Sequence, residues 1–247
     1  MTSPRQHFVI LSLPRTGSTY LVDYLNAVPG VKCLSEVFNP EIVLLRHHKT
    51  SDATITDKDL RDIDPLGFLY RLEQDVGPCE AFGVKLFPAH SPKLLHYFCS
   101  STHWKKIFLW RDNILEQYVS FLLASERYGQ ASWERVADDA RLTVSTGTLI
   151  DDLHAMEKSY IEIEDSLVLA DPGDVFTLEY EKMGQSDVMT QLLRFIGIGE
   201  APARSIAASR ASGFHAFDRG PRAADRIANY SDVCTLLRQT RYARLIA

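Results

Sequence analysis

At 247 residues, 45% of them apolar and 24% charged, the chain is long enough for one α/β domain with a buried core. A formal charge of −5 argues against a general nucleic-acid binder, which carries a basic face. An anionic ligand remains open, because a site needs only a few local cations and well-aimed backbone amides.

Cys33, Cys79, Cys99 and Cys234 form no CxxC pair, which argues against a zinc ribbon or a redox motif and fits reduced thiols in the cytosol. The start, Met1-Thr-Ser-Pro-Arg-Gln6, leads into a short apolar run broken by Pro14 and Arg15, unlike a signal peptide. No run reaches the roughly 18 apolar residues of a membrane span. The expectation is a cytoplasmic protein with no membrane span.

In chain order, Phe8–Leu13 reads as a buried parallel strand. Leu21, Leu25 and Val28 then recur at helical spacing until Pro29-Gly30. Val31–Leu34 predicts a second strand, and the acidic stretch near 47–64 a polar surface excursion or a lid. Phe82–Phe87 predicts a strand, Pro92–Phe98 a helix, and Lys106–Trp110 a strand that stops at Arg111-Asp112-Asn113. A helix follows with Leu115, Tyr118, Val119 and Leu122 on one face. Helical pattern dominates from Ser132 to Leu169; Asp174–Tyr180 is a further strand, and Val188–Ile196 a helix. The Arg- and Gly-containing segment near 200–224 reads as loop, and a last helix follows Tyr230. Strands alternating with helices imply a parallel sheet covered on both faces, with ligands at the carboxyl ends of its strands. That is an α/β, P-loop-like architecture in a single domain over 1–247.

Three polar clusters fall at such ends: Pro14–Thr19, Ser35-Glu36 and Arg111–Asn113. In Leu13-Pro-Arg-Thr-Gly-Ser-Thr-Tyr20, Gly17 permits a positive φ or a close backbone approach. The amides after it open a helix, where unpaired N–H groups and the macrodipole attract phosphate or sulfate. Ser18 and Thr19 add hydroxyl donors to the Thr16–Thr19 amides, and Arg15 a guanidinium able to grip two oxygens. The loop departs from GxxxxGK[ST] in having one glycine and no lysine before Ser18. Arg111 and Ser120, from one strand–helix unit, would suit a second phosphate. An ordinary capped helix with solvated polar residues is the bland alternative for both.

Together these residues resemble the PAPS-dependent sulfotransferases, whose P-[KR]-[ST]-G-[ST]-[ST] loop holds the 5′-phosphosulfate end of 3′-phosphoadenosine 5′-phosphosulfate (PAPS). Pro14–Thr19 fits that loop, and Arg111 with Ser120 fits the family's 3′-phosphate pair. The Arg111–Ser120 spacing looks like the bacterial branch with the nodulation-factor and trehalose sulfotransferases. Ser35-Glu-Val-Phe38 sits where the trehalose enzymes carry a catalytic glutamate, and Phe82-Gly-Val-Lys-Leu86 resembles their G-x-K-[LM] strand. Leu178–Met183, Phe195–Ile198 and Ile227-Ala-Asn-Tyr-Ser-Asp232 look like segments near the family's C-termini.

The resemblance implies a metal-independent transfer from PAPS to a hydroxyl-bearing acceptor, releasing adenosine 3′,5′-bisphosphate. Arg15 and the loop amides would stabilise the leaving bisphosphate, with Glu36 as general base and His90 its rival. Lys85 would touch the bridging oxygen or the acceptor, or pair with a carboxylate. Arg219 and Arg222 would cover the nucleotide, although the RKGxxG pattern is missing. His47-His48 are adjacent and do not form a facing ligand pair. Trp104, Trp110 and Trp133 are candidates for an acceptor platform, with core packing the alternative for the first two. A P-loop-type kinase and a non-catalytic PAPS-binding protein remain rival classes; nothing in the sequence fixes the acceptor or the oligomeric state.

Overall fold

Phe8 and Ile10 pack with Leu21, Leu25, Ile107 and Leu193, whereas Val9 and Leu11 pack with Leu34, Phe68, Val84 and Leu115. Alternate residues of one strand thus feed two separate cores, as a period of two requires. That strand is β1 (Gln6–Ser12), flanked by β3 (Ala81–Leu86) and β4 (Trp104–Trp110). The outer strands are β2 (Val31–Leu34) and β5 (Val175–Glu179). The order is β2-β3-β1-β4-β5, and every pairing is parallel. This computed structural model describes residues 5–128, 139–199 and 221–246.

Helices cover both faces. α1 (Ser18–Asn26) and α8 (Ser186–Phe195) supply one core. α4 (Pro65–Val76), α5 (Pro92–Ser100), α6 (Ile114–Tyr128) and α7 (Leu149–Leu167) supply the other. Among the described residues, no helix is long and apolar enough to cross a membrane.

The acidic stretch near 47–64 is more ordered than its composition suggests. It holds α2 (Ala53–Thr56) and α3 (Lys58–Ile63) and leads directly into α4. Asp52, Asp57 and Asp64 each accept a backbone N–H at a helix start, so the aspartates are N-caps. Ile55 is fully buried. Thr143–Thr148 is rich in β-branched and turn-forming residues, so among the described residues of the helical stretch read from Ser132 to Leu169 the helix is α7. Leu142 in that stretch instead bridges to Ile227. Residues 200–220 of the expected C-terminal loop lie outside the described residues; 221 onward leads into α9 (Ala223–Arg226) and α10 (Tyr230–Leu237).

Parallel strands bring every carboxyl end to one edge. The chain goes from β1 to β2 at one edge, returns inward to β3 beside β1, then crosses to β4 and continues outward to β5. The loop after β1 therefore stands at the reversal of strand order, where open α/β sheets place their ligands.

Gly83 faces Phe8 across the β1–β3 pair, and a Cβ there would lie 2.1 Å from that ring. Gly83→Val should cost at least about 1–3 kcal/mol in urea unfolding through overpacking. Gly147→Ala, whose Cβ meets nothing nearer than 3.8 Å, should stay close to wild type.

Candidate active site

The loop after β1 makes its turn through two left-handed residues, Arg15 at φ 65° and Gly17 at φ 76°. For Arg15 that backbone costs about 1–2 kcal/mol, so its surroundings must hold it. Its Nε donates to Ser120 Oγ at 3.1 Å, and the buried Thr16 hydroxyl donates to the Leu13 carbonyl at 2.9 Å. Gly17 meets a second demand, since a Cβ would come within 2.4 Å of Met183 Cε and 2.9 Å of Tyr180 Cδ2. The turn then delivers Ser18 and Thr19 to the start of α1.

A buried hydrogen-bond chain fixes this loop from below. Gln117 Nε2 donates to the Pro14 carbonyl at 2.8 Å, and Tyr160 Oη donates to Gln117 Oε1 at 2.7 Å. The Arg111 backbone N–H closes the chain on Tyr160 Oη at 3.1 Å. Gln117 is fully buried, although its helical wheel places it away from the Leu115/Val119 face. It was absent from the sequence-level candidates because its partners are 103 and 43 residues away.

Arg111 follows β4, with its guanidinium over the Tyr180 ring at 4.2 Å. Its Nη2 lies 2.6 Å from Glu116 Oε2, and its Nε lies 4.0 Å from Glu181 Oε1. Ser120 is paired with Arg15, not with Arg111. Arg15 is held below its ordinary pKa by burial first, then by the charges of Arg226 and Arg111. Three guanidinium groups therefore converge, one of them, Arg226, unforeseen from the sequence. The nearest signal was its place just before Ile227-Ala-Asn-Tyr230. There Asn229 exchanges two side-chain bonds of 2.9 Å with the Val144 backbone, and the Arg226 carbonyl accepts Leu142 N–H at 2.9 Å. Arg222 is exposed at the N-cap of α9. Arg219 and Trp133 fall outside the described residues.

Glu36, Lys85 and His90 come together from the ends of β2 and β3. Lys85 Nζ lies 2.8 Å from Glu36 Oε1, Asn39 Nδ2 donates to Oε2 at 2.9 Å, and His90 Nε2 lies 3.8 Å from Oε2. Burial alone would raise the Glu36 pKa, but the Lys85 charge, the hydrogen bonds from Lys85 and Asn39 and the charge of His90 hold it below its ordinary value. Lys85 is fully buried, and desolvation outweighs the pull of Glu36, so its pKa falls as well. Burial takes His90 down to about 4, against the attraction of Glu36.

These groups share one cleft of about 730 Å³ with Arg15, Ser18 and Thr19. Its far wall is Phe121 and Ala124 of α6 with Asp152, Met156 and Ser159 of α7. Trp104 is core and Trp110 packs against the core, so neither forms an acceptor platform; Phe87, Tyr118 and Phe121 line the cleft beside the His90 ring. His47 and His48 pair with separate carboxylates, Asp23 and Asp75. Among the described residues, no three His, Cys, Asp or Glu side chains are grouped to hold a metal ion.

The class defined so far is a parallel α/β protein with a tight strand–turn–helix loop at its switch point. Solved structures narrow the fold further. The sulfotransferase domain of the curacin biosynthetic pathway superposes with a TM-score of 0.54 at 16% identity, over 100% of this chain and 97% of that one. A sulfotransferase from Alicyclobacillus acidocaldarius gives 0.51 at 14%, over 99% and 96%. Mouse sulfotransferase SULT7A1 complexed with PAP gives 0.50 at 12%, over 100% and 89%. The chain has the sulfotransferase fold. No family profile matches its sequence, and no curated protein does.

Gln117→Leu would leave the Pro14 carbonyl and the Tyr160 hydroxyl without their partner. It should lower unfolding free energy by about 1–3 kcal/mol, measured in denaturant. His90 yields a pH prediction. Its folded pKa of about 4 lies below its ordinary 6.5, so the unfolded chain takes up the proton first on acidification. Stability should therefore fall from about pH 6.5 towards 4. His90→Asn, which keeps an acceptor for Phe87 N–H, should flatten that slope in urea titrations run at each pH.

Proposed function

We propose that the chain is a cytoplasmic sulfotransferase, moving a sulfuryl group from PAPS to a hydroxyl of a sugar or other small metabolite. What carries this reading is the meeting of Arg15 and its loop with a carboxylate–lysine pair in one cleft, with the charges of Arg111 and Arg226 acting on Arg15, in a chain of sulfotransferase fold. The four free cysteines suit a reducing compartment. The Arg111–Ser120 spacing favours the branch with the nodulation-factor and trehalose sulfotransferases.

The donor, once bound, supplies a sulfuryl group on a good leaving phosphate. Arg15, the Thr16–Thr19 amides and the Ser18 and Thr19 hydroxyls hold its 5′ end and stabilise charge on the departing oxygen. Arg111, Ser120 and Arg226 receive the 3′-phosphate, and the bond from Arg15 Nε to Ser120 Oγ ties this end to the loop that holds the 5′ end. Three neighbouring guanidinium groups suit a bisphosphate, whose second anion relieves their mutual repulsion. Binding at Arg111 exchanges a phosphate oxygen for the Glu116 carboxylate now on Nη2. Arg222, at the N-cap of α9, would cover the adenosine, a role the sequence also assigns to Arg219, which lies outside the described residues.

Glu36 accepts the acceptor's proton as general base, because the charge of Lys85 keeps it ionised at neutral pH. Lys85 stabilises negative charge between donor and acceptor. His90 Nδ1 accepts the Phe87 N–H at 3.5 Å, which puts the ring proton on Nε2, facing Glu36. In that tautomer His90 orients the carboxylate and is no base toward the cleft.

Calorimetry should show adenosine 3′,5′-bisphosphate binding more tightly than 5′-AMP. Arg111→Ala and Arg226→Ala should each weaken it by about ten-fold or more, the loss expected for one charged hydrogen-bond partner. Equal affinities for the two nucleotides would sink the reading. In single-turnover transfer from radiolabelled PAPS, Glu36→Gln should slow the step by about 10²–10⁴-fold with bisphosphate affinity unchanged. If His90→Ala abolishes transfer while Glu36→Gln does not, the base is His90.

A further inference from the structure

Arg61 is 1% exposed, and the chemistry above makes no use of it. It lies on α3, in the stretch whose composition reads as polar surface, yet its guanidinium turns inward onto backbone. Nη1 donates to the carbonyls of Val37 at 3.1 Å and Asn39 at 2.6 Å, with that of Ile42 at 3.5 Å. Nε donates to Asp62 Oδ1 at 2.8 Å.

Those carbonyls belong to the segment that leaves Glu36. The Glu36 carbonyl itself accepts the N–H groups of Asn39 at 3.1 Å and Leu44 at 3.3 Å, closing residues 36–44 into a turn. Val37 and Phe38 anchor the turn in the core, Phe38 against Phe68 at 5.8 Å between ring centroids. The apolar side chains fix where the turn sits, and the guanidinium fixes which way its polar groups face. A buried cation tolerates little displacement from carbonyl partners, since losing them leaves the charge desolvated. Asn39 links the two ends, for its carbonyl takes the shortest Arg61 bond while its side-chain amide donates to Glu36 Oε2.

We propose that Arg61 is a positioning residue for sulfuryl transfer: by holding Asn39, it sets the orientation of the Glu36 carboxylate between Lys85 and the cleft. The role assigned to Glu36 rests on the sulfotransferase reading; the linkage from Arg61 through Asn39 does not.

The test is nuclear magnetic resonance on the full chain. The Asn39 side-chain amide protons, assigned with Asn39→Ala, should shift with pH as Glu36 titrates, and this dependence should vanish in Glu36→Gln. Arg61→Lys keeps the charge and a donor and should preserve the coupling. Arg61→Met should abolish it with affinity for adenosine 3′,5′-bisphosphate unchanged, a combination that simple destabilisation does not produce. Coupling that survives in folded Arg61→Met overturns the proposal. If that variant does not fold, the wild type decides. Its Arg61 Nη1 protons should exchange slowly with water and couple to the Val37 and Asn39 carbonyl carbons; fast exchange overturns the proposal. Failure of the bisphosphate to bind wild-type protein overturns the sulfotransferase reading and leaves the Asn39 measurement standing.

Discussion

One buried amide connects the parts of the site that come from distant sequence. Gln117 receives Tyr160 Oη and donates to the Pro14 carbonyl, while Tyr160 accepts the backbone N–H of Arg111. The loop after β1, the end of β4, α6 and α7 thus share a single hydrogen-bonded chain. Its members stay in place because each would otherwise be a desolvated polar group, costing about 1–3 kcal/mol. A hydrophobic side chain at 117 would fill the volume and lose the register. This constraint lets a loop with an arginine in left-handed backbone keep one shape.

The cleft is electrically lopsided. At the loop end burial, then the charges of two arginines, Arg226 and Arg111, depress the pKa of Arg15, with Glu116 and Glu181 offsetting part of that charge. Across the cleft, Lys85 is a cation inside the sheet layer, compensated by Glu36 and lying 5.0 Å from the Phe87 ring. A buried ion pair contributes little to stability compared with apolar residues of equal volume. Its presence at the end of the central strands is better understood as function paid for by stability. The surrounding apolar strands, with five paired in parallel, supply the surplus.

The strands were legible because buried parallel strands are short, continuous apolar runs, and all five lie within a residue or two of their sequence positions. The placement of Pro14–Thr19, Glu36 and Arg111 on one edge followed from the same alternation of strands and helices. Other features were illegible for separable reasons. The aspartates at 52, 57 and 64 looked like solvated acid because an N-cap and an exposed charge are the same residue type. Gln117, Arg61 and Arg226 act through partners far away in sequence, and no local pattern encodes such pairs. Ser120 was recognised, although its partner in the structure is Arg15 rather than Arg111.

Tyr180 stands at the turn after β5, and its ring touches both halves of the proposed anion site, Gly17 and Arg111. One side packs so tightly on Gly17 that no Cβ fits, and Arg111 stacks on the ring at 4.2 Å. The ring is therefore a contact shared by the loop and the second arginine. A ligand with two anionic groups, as proposed above, would meet both contacts of this one ring. Divergence at this position would alter both contacts in one step, whereas a change at Arg111 would alter only one.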